Sequence, residues 1–433
     1  MYGCVKVRVQ CGAALTEYIN CTSGVKQGDV CSPVLFSLFI NELTIEVINS
    51  GRHGAAFIND VLEIFILLLA DDIALMSETV IGLQSQLNSL QRAASSLQLK
   101  VNMDKSNIIV FRKGGHLSAR ERWVYNGITM PVVNVYKYLG IYFSTRLSFT
   151  FACKDLASRA KNALLCIMKK LSQLHNDSLK LFLRLFDTQI QPMVRYGAEI
   201  WSLDTVTTYC EKVHLYALKK FLGVSLRTPN DLVYGETNRY PISLLSGLKC
   251  IRYWLKLTRM DTHRLPFKAY RMLLELDNRG KKNWLTNVRM KLCENGFGVV
   301  WFSQGVGDMN VFIPVFRERL IDCRWQDWNS HVQSSTRFDM YGMINTSHCL
   351  PSYMSMRMDS YLKRVMTRFR FGVSDIFVHH YRYKQLCPLN LVCPMCGMTR
   401  EDEIHFVLTC PGLADLREQF IPQKYFKQPS LFK

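Results

Sequence analysis

The chain has 433 residues, of which 48% are hydrophobic and 12% aromatic, and its formal net charge is +19. This apolar content is typical of a folded protein of two or three domains and excludes a disordered chain. The excess of Lys and Arg favours a polyanionic partner, with nucleic acid first and an acidic membrane surface second. The longest apolar run, residues 64–70, is far shorter than the roughly 18 residues of a membrane span.

Fifteen cysteines are scattered between Cys4 and Cys410. A secreted protein stabilised by disulfides typically has an even number of cysteines in a shorter chain, so this odd, scattered set is not typical of one. The sequence does not open with a charged segment followed by an apolar one, the pattern of a secretory signal. We therefore expect an intracellular protein in a reducing compartment, in which most cysteines are small core residues.

The first predicted elements are a loop and a helix. Residues 20–33 are rich in Gly, Ser and Asp, which favours a loop. The loop ends in Ser32 and Pro33, which are typical of a helix N-cap and of a first helical turn. The apolar run over residues 34–49 then predicts a largely buried helix.

The next stretch predicts a hairpin. Two strand-like apolar runs, residues 64–69 and 73–77, flank the pair Asp71 and Asp72, so the two carboxylates are expected at or near the turn. Carboxylates about 4 Å apart repel each other by roughly 4 kcal/mol at an effective dielectric constant of about 20. Solvent or a divalent cation such as magnesium would relieve that repulsion. The alternative is an exposed turn, where Asp is common.

Beyond the hairpin the pattern changes twice. Leucines at helical spacing from Leu83 to Leu97 predict a surface helix, and residues 106–111 and 135–144 predict strands, the second kinked at Gly140. From about residue 154 the chain becomes helical. One apolar face is predicted, made of Leu156, Ala160, Ala163, Leu164, Ile167, Leu171 and Leu174. The bases off this face are either a solvated surface or a phosphate-contact surface: Lys154, Arg159, Lys161, Lys169 and Lys170.

Four ordered motifs resemble the palm of reverse transcriptases, and more specifically those of non-LTR (LINE-type) retrotransposons. The matches are a Gln-Gly, Ser-Pro and Leu-Phe motif (Gln27, Gly28, Ser32, Pro33, Leu35, Phe36), an Ala-Asp-Asp box (Ala70, Asp71, Asp72), an Asn-x-x-Lys element (Asn102, Lys105) and a Leu-Gly primer grip (Leu139, Gly140). Residues 191–201 and 222–231 are similar to phrases that follow the palm in these elements. The resemblance covers nearly the whole chain.

The resemblance implies a role for each matched residue. Asp71 and Asp72 would be catalytic ligands of magnesium, in a two-metal reaction that activates a primer 3′-hydroxyl and stabilises the pyrophosphate leaving group. Gln27 and Gly28 would contact the template or the incoming nucleotide, with Gly28 allowing close backbone approach. Lys105 would offset phosphate charge or is a plain surface lysine. Leu139 and Gly140 would lie at the primer, or Gly140 is an ordinary strand kink.

Two departures from the family pattern matter. Leu69 stands where the family usually has an aromatic residue, most often Tyr, against the sugar of the incoming nucleotide. The family's first catalytic aspartate lies in a Phe-x-Asp element upstream of the Gln-Gly loop, and residues 1–20 contain no aspartate. We therefore expect a two-metal site that is incomplete here, and a chain that is truncated and inactive, or nearly so, as it stands.

The C-terminal segment contains a second motif. Cys393, Cys396, His405 and Cys410 follow the pattern Cys-x2-Cys-x8-His-x4-Cys. Three thiolates and one imidazole complete a closed tetrahedral shell, which predicts structural zinc rather than a catalytic ion. The alternative is four unrelated core residues, and Cys387 is expected outside the shell. The same cluster ends many non-LTR retrotransposon polyproteins. The cluster is either only a structural clasp or also a nucleic-acid contact, in which nearby bases would touch phosphates: Arg400, Arg417, Lys424 and Lys427.

The predicted fold class is α+β, a partial palm of antiparallel sheet with helices, followed by mainly helical regions and a zinc knuckle. The predicted domains are a partial palm (1–150), a helical thumb and connector (151–290), a helical linker region (291–386) and a CCHC zinc knuckle with tail (387–433). The leading hypothesis is an RNA-directed DNA polymerase acting on an RNA template and a DNA primer or target, nuclear by resemblance. The rivals are a non-catalytic nucleic-acid-binding relic, and a group II intron-type or other cellular polymerase.

Overall fold

The computed structural model describes residues 5–21, 24–26, 28–49, 56–58, 62–174, 178–203, 207–335, 338–346, 349–374, 392–399 and 401–423. The chain divides into two compact units, residues 1–148 and 149–433. The finer domain boundaries at 290 and 386 stay predictions. No helix within the described ranges is long and apolar enough to cross a membrane.

The first unit combines helices with small antiparallel sheets, in agreement with the predicted α+β class. Its strands are β1 (Val5–Val7), β2 (Gln10–Cys11), β3 (Ala14–Leu15), β4 (Ile19–Cys21), β5 (Ala56–Ile58), β6 (Leu62–Ile64), β7 (Ile66–Leu69), β8 (Asp72–Leu75), β9 (Val124–Tyr125), β10 (Ile128–Thr129), β11 (Val135–Tyr138) and β12 (Ile141–Ser144). The strands pair as β1–β4, β2–β3, β5–β6, β7–β8, β9–β10 and β11–β12. The helices are α1 (Ser32–Asn49), α2 (Val80–Ser96) and a short 3-10 helix (Met103–Lys105).

Helix α1 begins at Ser32, where the sequence predicted a helix start. Pro33 lies in the first turn, which suits a residue without a backbone N–H. The hydroxyl of Ser32 donates a hydrogen bond to the carbonyl of Lys26. The loop is held by Asp29, whose carboxylate accepts from the backbone N–H of Cys31 at 2.9 Å.

Helix α1 buries only one side. Ile40, Leu43 and Val47 are buried, whereas Val34 and Leu38 are exposed. The prediction of a largely buried helix was wrong, because a run of apolar residues does not require every side of the helix to pack against a core. The apolar residues in fact divide between a core-facing side and a solvent-facing side.

Helix α2 connects the hairpins of the first unit. Thr79 caps it by accepting from the N–H of Gly82, and Leu87 and Leu90 are buried. The side-chain amide of Gln84 bonds both the carbonyl and the N–H of Val124 on β9. The core beneath the β7–β8 hairpin is therefore held by a helix tied to the next hairpin.

Two strand predictions need correction. Residues 106–111 do not form a regular strand; Ile108 makes only an isolated bridge to Val132. Residues 135–144 are not one kinked strand but the hairpin β11–β12, with Leu139 and Gly140 in its turn. Both residues have positive φ, 48° and 82°, and two such residues in succession reverse a chain tightly.

The second unit is helical over its described residues. The α-helices are α3 (Thr150–Gln173), α4 (Leu179–Leu185), α5 (Gln191–Val194), α6 (Ala198–Trp201), α7 (Thr208–Leu222), α8 (Asn230–Thr237), α9 (Ile242–Thr258), α10 (Leu265–Asn278), α11 (Trp284–Glu294), α12 (Gly298–Phe302), α13 (Met309–Ser334), α14 (Asp339–Ile344), α15 (Ser352–Ser355), α16 (Ser360–Arg370) and α17 (Ala414–Phe420). Two π-helical segments (Phe186–Ile190, His405–Thr409) and a 3-10 helix (Pro411–Leu413) complete it.

The apolar face predicted for α3 is largely confirmed. Leu156, Ala160, Leu164 and Leu171 are buried in the core around α3, α4 and α7. Leu174 is the exception, because the helix ends at Gln173 and the Leu174 side chain is exposed.

Candidate active site and metal centre

The adjacent aspartates lie at the tip of the β7–β8 hairpin. Leu69 pairs directly with Asp72, so Ala70 and Asp71 form a two-residue turn. Ala70 has φ +51°, a left-handed conformation that costs a residue with a Cβ about 1 kcal/mol. The apolar strand residues anchor the hairpin on the core of the first unit: Ile66, Leu68, Ile73 and Leu75. Since side chains alternate along a strand, Leu69 and Asp72 lie on the face opposite these anchors.

Both carboxylates are exposed. Neither carboxylate of Asp71 or Asp72 is ion-paired with a described basic side chain, so their oxygens are available as acceptors. Within the described ranges, no third His, Cys, Asp or Glu joins them in a group of three metal ligands. The pair offers hard oxygen donors, the ligand type of magnesium.

Lys105 is positioned by its backbone rather than by its side chain. The side chain of Asn102 accepts from the backbone N–H groups of Asp104 and Lys105, which starts the short 3-10 helix. The hydroxyl of Tyr136 then donates to the carbonyl of Lys105 at 2.7 Å. The Lys105 side chain is exposed, as expected both for a lysine that contacts phosphates and for a plain surface lysine.

The β11–β12 hairpin is close to the aspartates. Burial raises the pKa of the Tyr138 phenol, and the negative charge of Asp72 raises it further. Tyr138 directly precedes the turn residues Leu139 and Gly140. The residue next to the predicted primer-grip turn is therefore near enough to Asp72 to interact with its charge.

Gly28 is needed for its backbone conformation. Its φ is +85°, and a Cβ added there would meet no atom within 4 Å. Residues with a side chain rarely adopt this φ, so the loop requires glycine whether or not a ligand approaches it. Gln27, predicted beside it as a nucleotide or template contact, lies outside the described residues.

The four C-terminal residues predicted as zinc ligands come together. Their ligand atoms all lie within 4.8 Å of one another. The Sγ atoms of Cys393 and Cys410 are 3.7 Å apart, and Cys396 Sγ is 3.4 Å from His405 Nε2. Zinc–sulfur bonds of about 2.3 Å give a tetrahedral sulfur–sulfur edge of about 3.8 Å. The donor set and its spacing therefore fit a tetrahedral metal ion.

Neighbouring groups orient these ligands. The other ring nitrogen of His405, Nδ1, lies 3.1 Å from the hydroxyl of Thr399 and 3.3 Å from that of Thr409, which leaves Nε2 facing the thiols. The backbone N–H of Met398, above all, lowers the pKa of the Cys396 thiol to about 6. The thiolate is the form that binds metals.

Arg417 serves the metal-ligand segment instead of facing outward. Its guanidinium donates to the carbonyls of Val407 and Cys410, which are left open at the end of a π-helical turn. A phosphate contact by Arg417 stays a prediction, and two of its guanidinium nitrogens already bond to backbone carbonyls. Cys387, Arg400, Lys424 and Lys427 lie outside the described residues.

Several contributors to these sites were not predicted. Tyr136 and Tyr138 alternate along β11, and this period-two pattern just before Leu139 could have indicated a shared face. Thr399 and Thr409 carry no such signal, because a threonine near a histidine is common in any sequence. Their role is visible only in the folded segment.

Comparison with known proteins identifies the first unit. Residues 4–143 match the family described as "Reverse transcriptase (RNA-dependent DNA polymerase)". The chain is 27% identical over 261 residues to the Retrovirus-related Pol polyprotein from type-2 retrotransposable element R2DM of Drosophila melanogaster, covering 56% of the chain and 22% of that protein. It is 25% identical over 262 residues to a type-1 R2 Pol polyprotein of Bradysia coprophila, covering 56% and 27%.

A third relative comes from a different element. The RNA-directed DNA polymerase from mobile element jockey of Drosophila melanogaster is 21% identical over 210 residues, covering 47% of the chain and 22% of that protein. The matched part thus spans about a quarter of the length of these relatives. Residues 4–143 belong to the reverse transcriptase family, and the chain is related to the polymerases of non-LTR retrotransposons.

Proposed function

We propose that this chain is part of an RNA-directed DNA polymerase that extends a DNA primer by copying an RNA template. The observation that carries the proposal is the β7–β8 hairpin, which presents Asp71 and Asp72 exposed at its tip. An exposed pair of like charges on a short, well-anchored turn suits a site whose charge is neutralised by bound cations and substrate phosphates.

The surroundings of the pair support this assignment. The turn of Leu139 and Gly140 follows Tyr138, whose pKa is raised by burial and by the negative charge of Asp72. We assign this turn to the primer strand. We assign Gln27, Gly28, Leu69 and Lys105 to the nucleotide and template. Leu69, opposite Asp72, offers an apolar edge to a sugar where an aromatic ring would offer a larger one.

Magnesium is the metal that fits the aspartates. Asp71 and Asp72 would hold it with oxygen ligands, and the bound ion would lower the pKa of the primer 3′-hydroxyl and stabilise charge on the pyrophosphate. The two carboxylates leave most coordination positions open to water and phosphates. Since two ions require further carboxylate ligands, we propose that the 433-residue polypeptide alone has little or no polymerase activity.

Zinc is the metal that fits the C-terminal cluster. Cys393, Cys396, His405 and Cys410 would form a closed shell, which holds the segment together rather than performing chemistry. We therefore propose a structural zinc knuckle. The hydrogen bonds of Arg417 to backbone carbonyls of this segment support the structural role.

A second candidate function is nucleic-acid binding without catalysis. The net charge of +19 favours binding of a polyanion irrespective of the aspartates. The two candidates differ in one measurable property, since only the polymerase requires Asp71.

Manganese binding tests the aspartate site directly. Mn²⁺ is a paramagnetic substitute for Mg²⁺, and its binding to the 433-residue protein is followed by electron paramagnetic resonance. We expect Asp71→Ala and Asp72→Ala to abolish the bound signal, while Glu294→Ala, which removes another exposed carboxylate, leaves it unchanged. A signal that survives the double replacement would refute the metal site.

Primer extension separates the two functions. The purified 433-residue protein is compared with a version extended by the in-frame sequence encoded upstream of Met1. Extension only by the longer protein, abolished by Asp71→Ala with RNA binding intact, supports the polymerase. Robust extension by the shorter one contradicts its proposed inactivity. Stop codons directly upstream, with RNA binding retained, favour the relic.

A further inference from the structure

Two lysine–tyrosine pairs repeat along α3 and α7 at the same spacing. The ammonium of Lys154 lies 5.3 Å from the ring centre of Tyr209, and that of Lys161 lies 5.2 Å from the ring centre of Tyr216. Each step is seven residues on each helix, or two helical turns and about 10.5 Å. The two helices therefore carry matching rows of positive charge and aromatic surface.

A second lysine of α7 approaches each of these rings. Lys212 lies 5.6 Å from the centre of Tyr209, and Lys220 lies 5.8 Å from the centre of Tyr216. The ammonium groups have no salt bridge to a carboxylate in the part of the chain that the structure describes. The tyrosine rings hold pairs of like charges near one another, which suits a polyanion.

The third step of the repeat breaks the pattern and opens a cavity. Seven residues beyond Lys161 and Tyr216 are Met168 and Gly223. Met168 lines a cavity of about 280 Å³, and the side chain of Arg364 lies over Gly223. A Cβ added to Gly223 would be 2.6 Å from Cδ of Arg364, so the missing side chain makes room for this arginine.

The cavity combines an apolar floor with a cationic rim. Phe182 and Phe221 stack in the floor with ring centres 4.8 Å apart. Lys220, Lys363 and Arg364 line the rim. None of these three cations forms a salt bridge with a described carboxylate. Lys220 lies beside the Tyr216 ring and also lines the rim. The row of lysines and tyrosines along α3 and α7 therefore continues directly into the cavity.

We propose that this cavity binds one unpaired nucleotide of a nucleic-acid strand. The base enters against Met168 and the phenylalanine floor, and its phosphate lies on Lys363 and Arg364. The neighbouring phosphates follow the lysine–tyrosine pairs along α3 and α7. This inference rests on the proposed nucleic-acid function, and it adds a base-binding subsite in the helical unit.

Size and chemistry both favour a nucleotide. A volume of 280 Å³ is near the lower end of the range for ligand sites, roughly 300–1,000 Å³, which suits one base rather than a larger group. A base has an apolar face linked to an anionic phosphate, the same combination as floor and rim. A paired base would first have to leave its stack, so the strand segment that binds here is single-stranded.

The test compares two strands that differ only in their bases. Affinity of the 433-residue protein is measured for a single-stranded RNA and for the same strand made of abasic nucleotides. We expect the natural strand to bind about tenfold more tightly. Met168→Trp fills the cavity and should remove this preference, so that the natural strand binds no more tightly than the abasic one.

The rim is tested by a paired replacement with a matched control. Lys363→Ala with Arg364→Ala should weaken binding of both strands and reduce the salt dependence of the affinity. Lys281→Ala with Lys282→Ala removes two exposed lysines elsewhere in the same unit. This control should change the affinity and its salt dependence much less. A thermal unfolding transition at the wild-type temperature confirms that each variant is folded.

Two results would overturn the proposal. One is equal affinity of the wild-type protein for the natural and abasic strands, and the other is a base preference that survives in a folded Met168→Trp variant. Either result leaves the polymerase assignment intact. If the wild-type protein binds neither strand, the nucleic-acid function on which the proposal rests is contradicted instead.

Discussion

Tyr136 and Lys105 are joined by a hydrogen bond across 31 positions of sequence, in which the phenol donates to the lysine carbonyl at 2.7 Å. This bond ties the short helix that carries Lys105 to the hairpin that carries Leu139 and Gly140. The Asn-x-x-Lys element and the Leu-Gly turn, which are separate in the sequence, are therefore joined by this hydrogen bond.

Tyr136→Phe should weaken the connection between the Lys105 helix and the β11–β12 hairpin. Loss of the hydroxyl removes one hydrogen bond and leaves the Lys105 carbonyl to water, so we expect the free energy of unfolding to fall by about 1 kcal/mol. Tyr142→Phe on the neighbouring strand is the control. Urea unfolding of both variants measures the difference, and equal stabilities would show that the bond contributes nothing.

The zinc centre predicts metal content and a response to chelation. Protein purified without chelator should contain one zinc per chain, and Cys393→Ser should lose it, since a ligand is removed. Cys166→Ser, an exposed cysteine outside the cluster, should retain it. Zinc is measured by atomic emission, and near-zero content in the wild-type protein would end the assignment.

Gly412→Ala should disturb the same centre without changing a ligand. An added Cβ would lie 2.5 Å from the carbonyl oxygen of Met395, a backbone atom between two ligand cysteines that cannot easily move. We expect a loss of about 1–3 kcal/mol in stability and weaker zinc retention in a chelator competition. Gly114→Ala, where no atom lies within 4 Å, is the comparison; identical behaviour of the two would contradict this packing.

Breaking a buried ion pair should strongly destabilise the second unit. Glu236 is fully buried and accepts hydrogen bonds from Arg370 and Tyr353. Glu236→Gln leaves the guanidinium without its counter-charge, and we expect a loss of roughly 3–5 kcal/mol. Glu318→Gln in the exposed Arg317 pair should cost far less. Thermal or urea unfolding distinguishes the two, and equal losses would contradict the argument.

Local chemistry could be predicted from the sequence where neighbours along the chain determine it. The Asp71–Asp72 hairpin depends on two apolar strands and a two-residue turn, all within twelve residues, 64 to 75. The four candidate metal ligands fall within residues 393–410, so a short segment of chain contains them all. The hairpin and the clustering of the four ligand atoms agree with the sequence, and the roles of these residues stay predictions.

Contacts between distant segments could not be predicted in this way. The strand expected at residues 106–111 lacks a pairing partner beyond Ile108 and Val132, and pairing partners are not encoded in a strand's own letters. The apolar character of α1 did not reveal which side meets α2. The alignment of Lys154 with Tyr209 depends on the register between two helices, which only the folded unit provides.

The outward side of α1 has a practical consequence for work on the isolated polypeptide. Val34 and Leu38 are 62% and 66% exposed, and Phe39 and Ile45 add further apolar area. Apolar groups in contact with water attract one another without regard to sequence. Concentrated solutions of the chain should therefore self-associate, and dilute samples are the appropriate ones for affinity measurements.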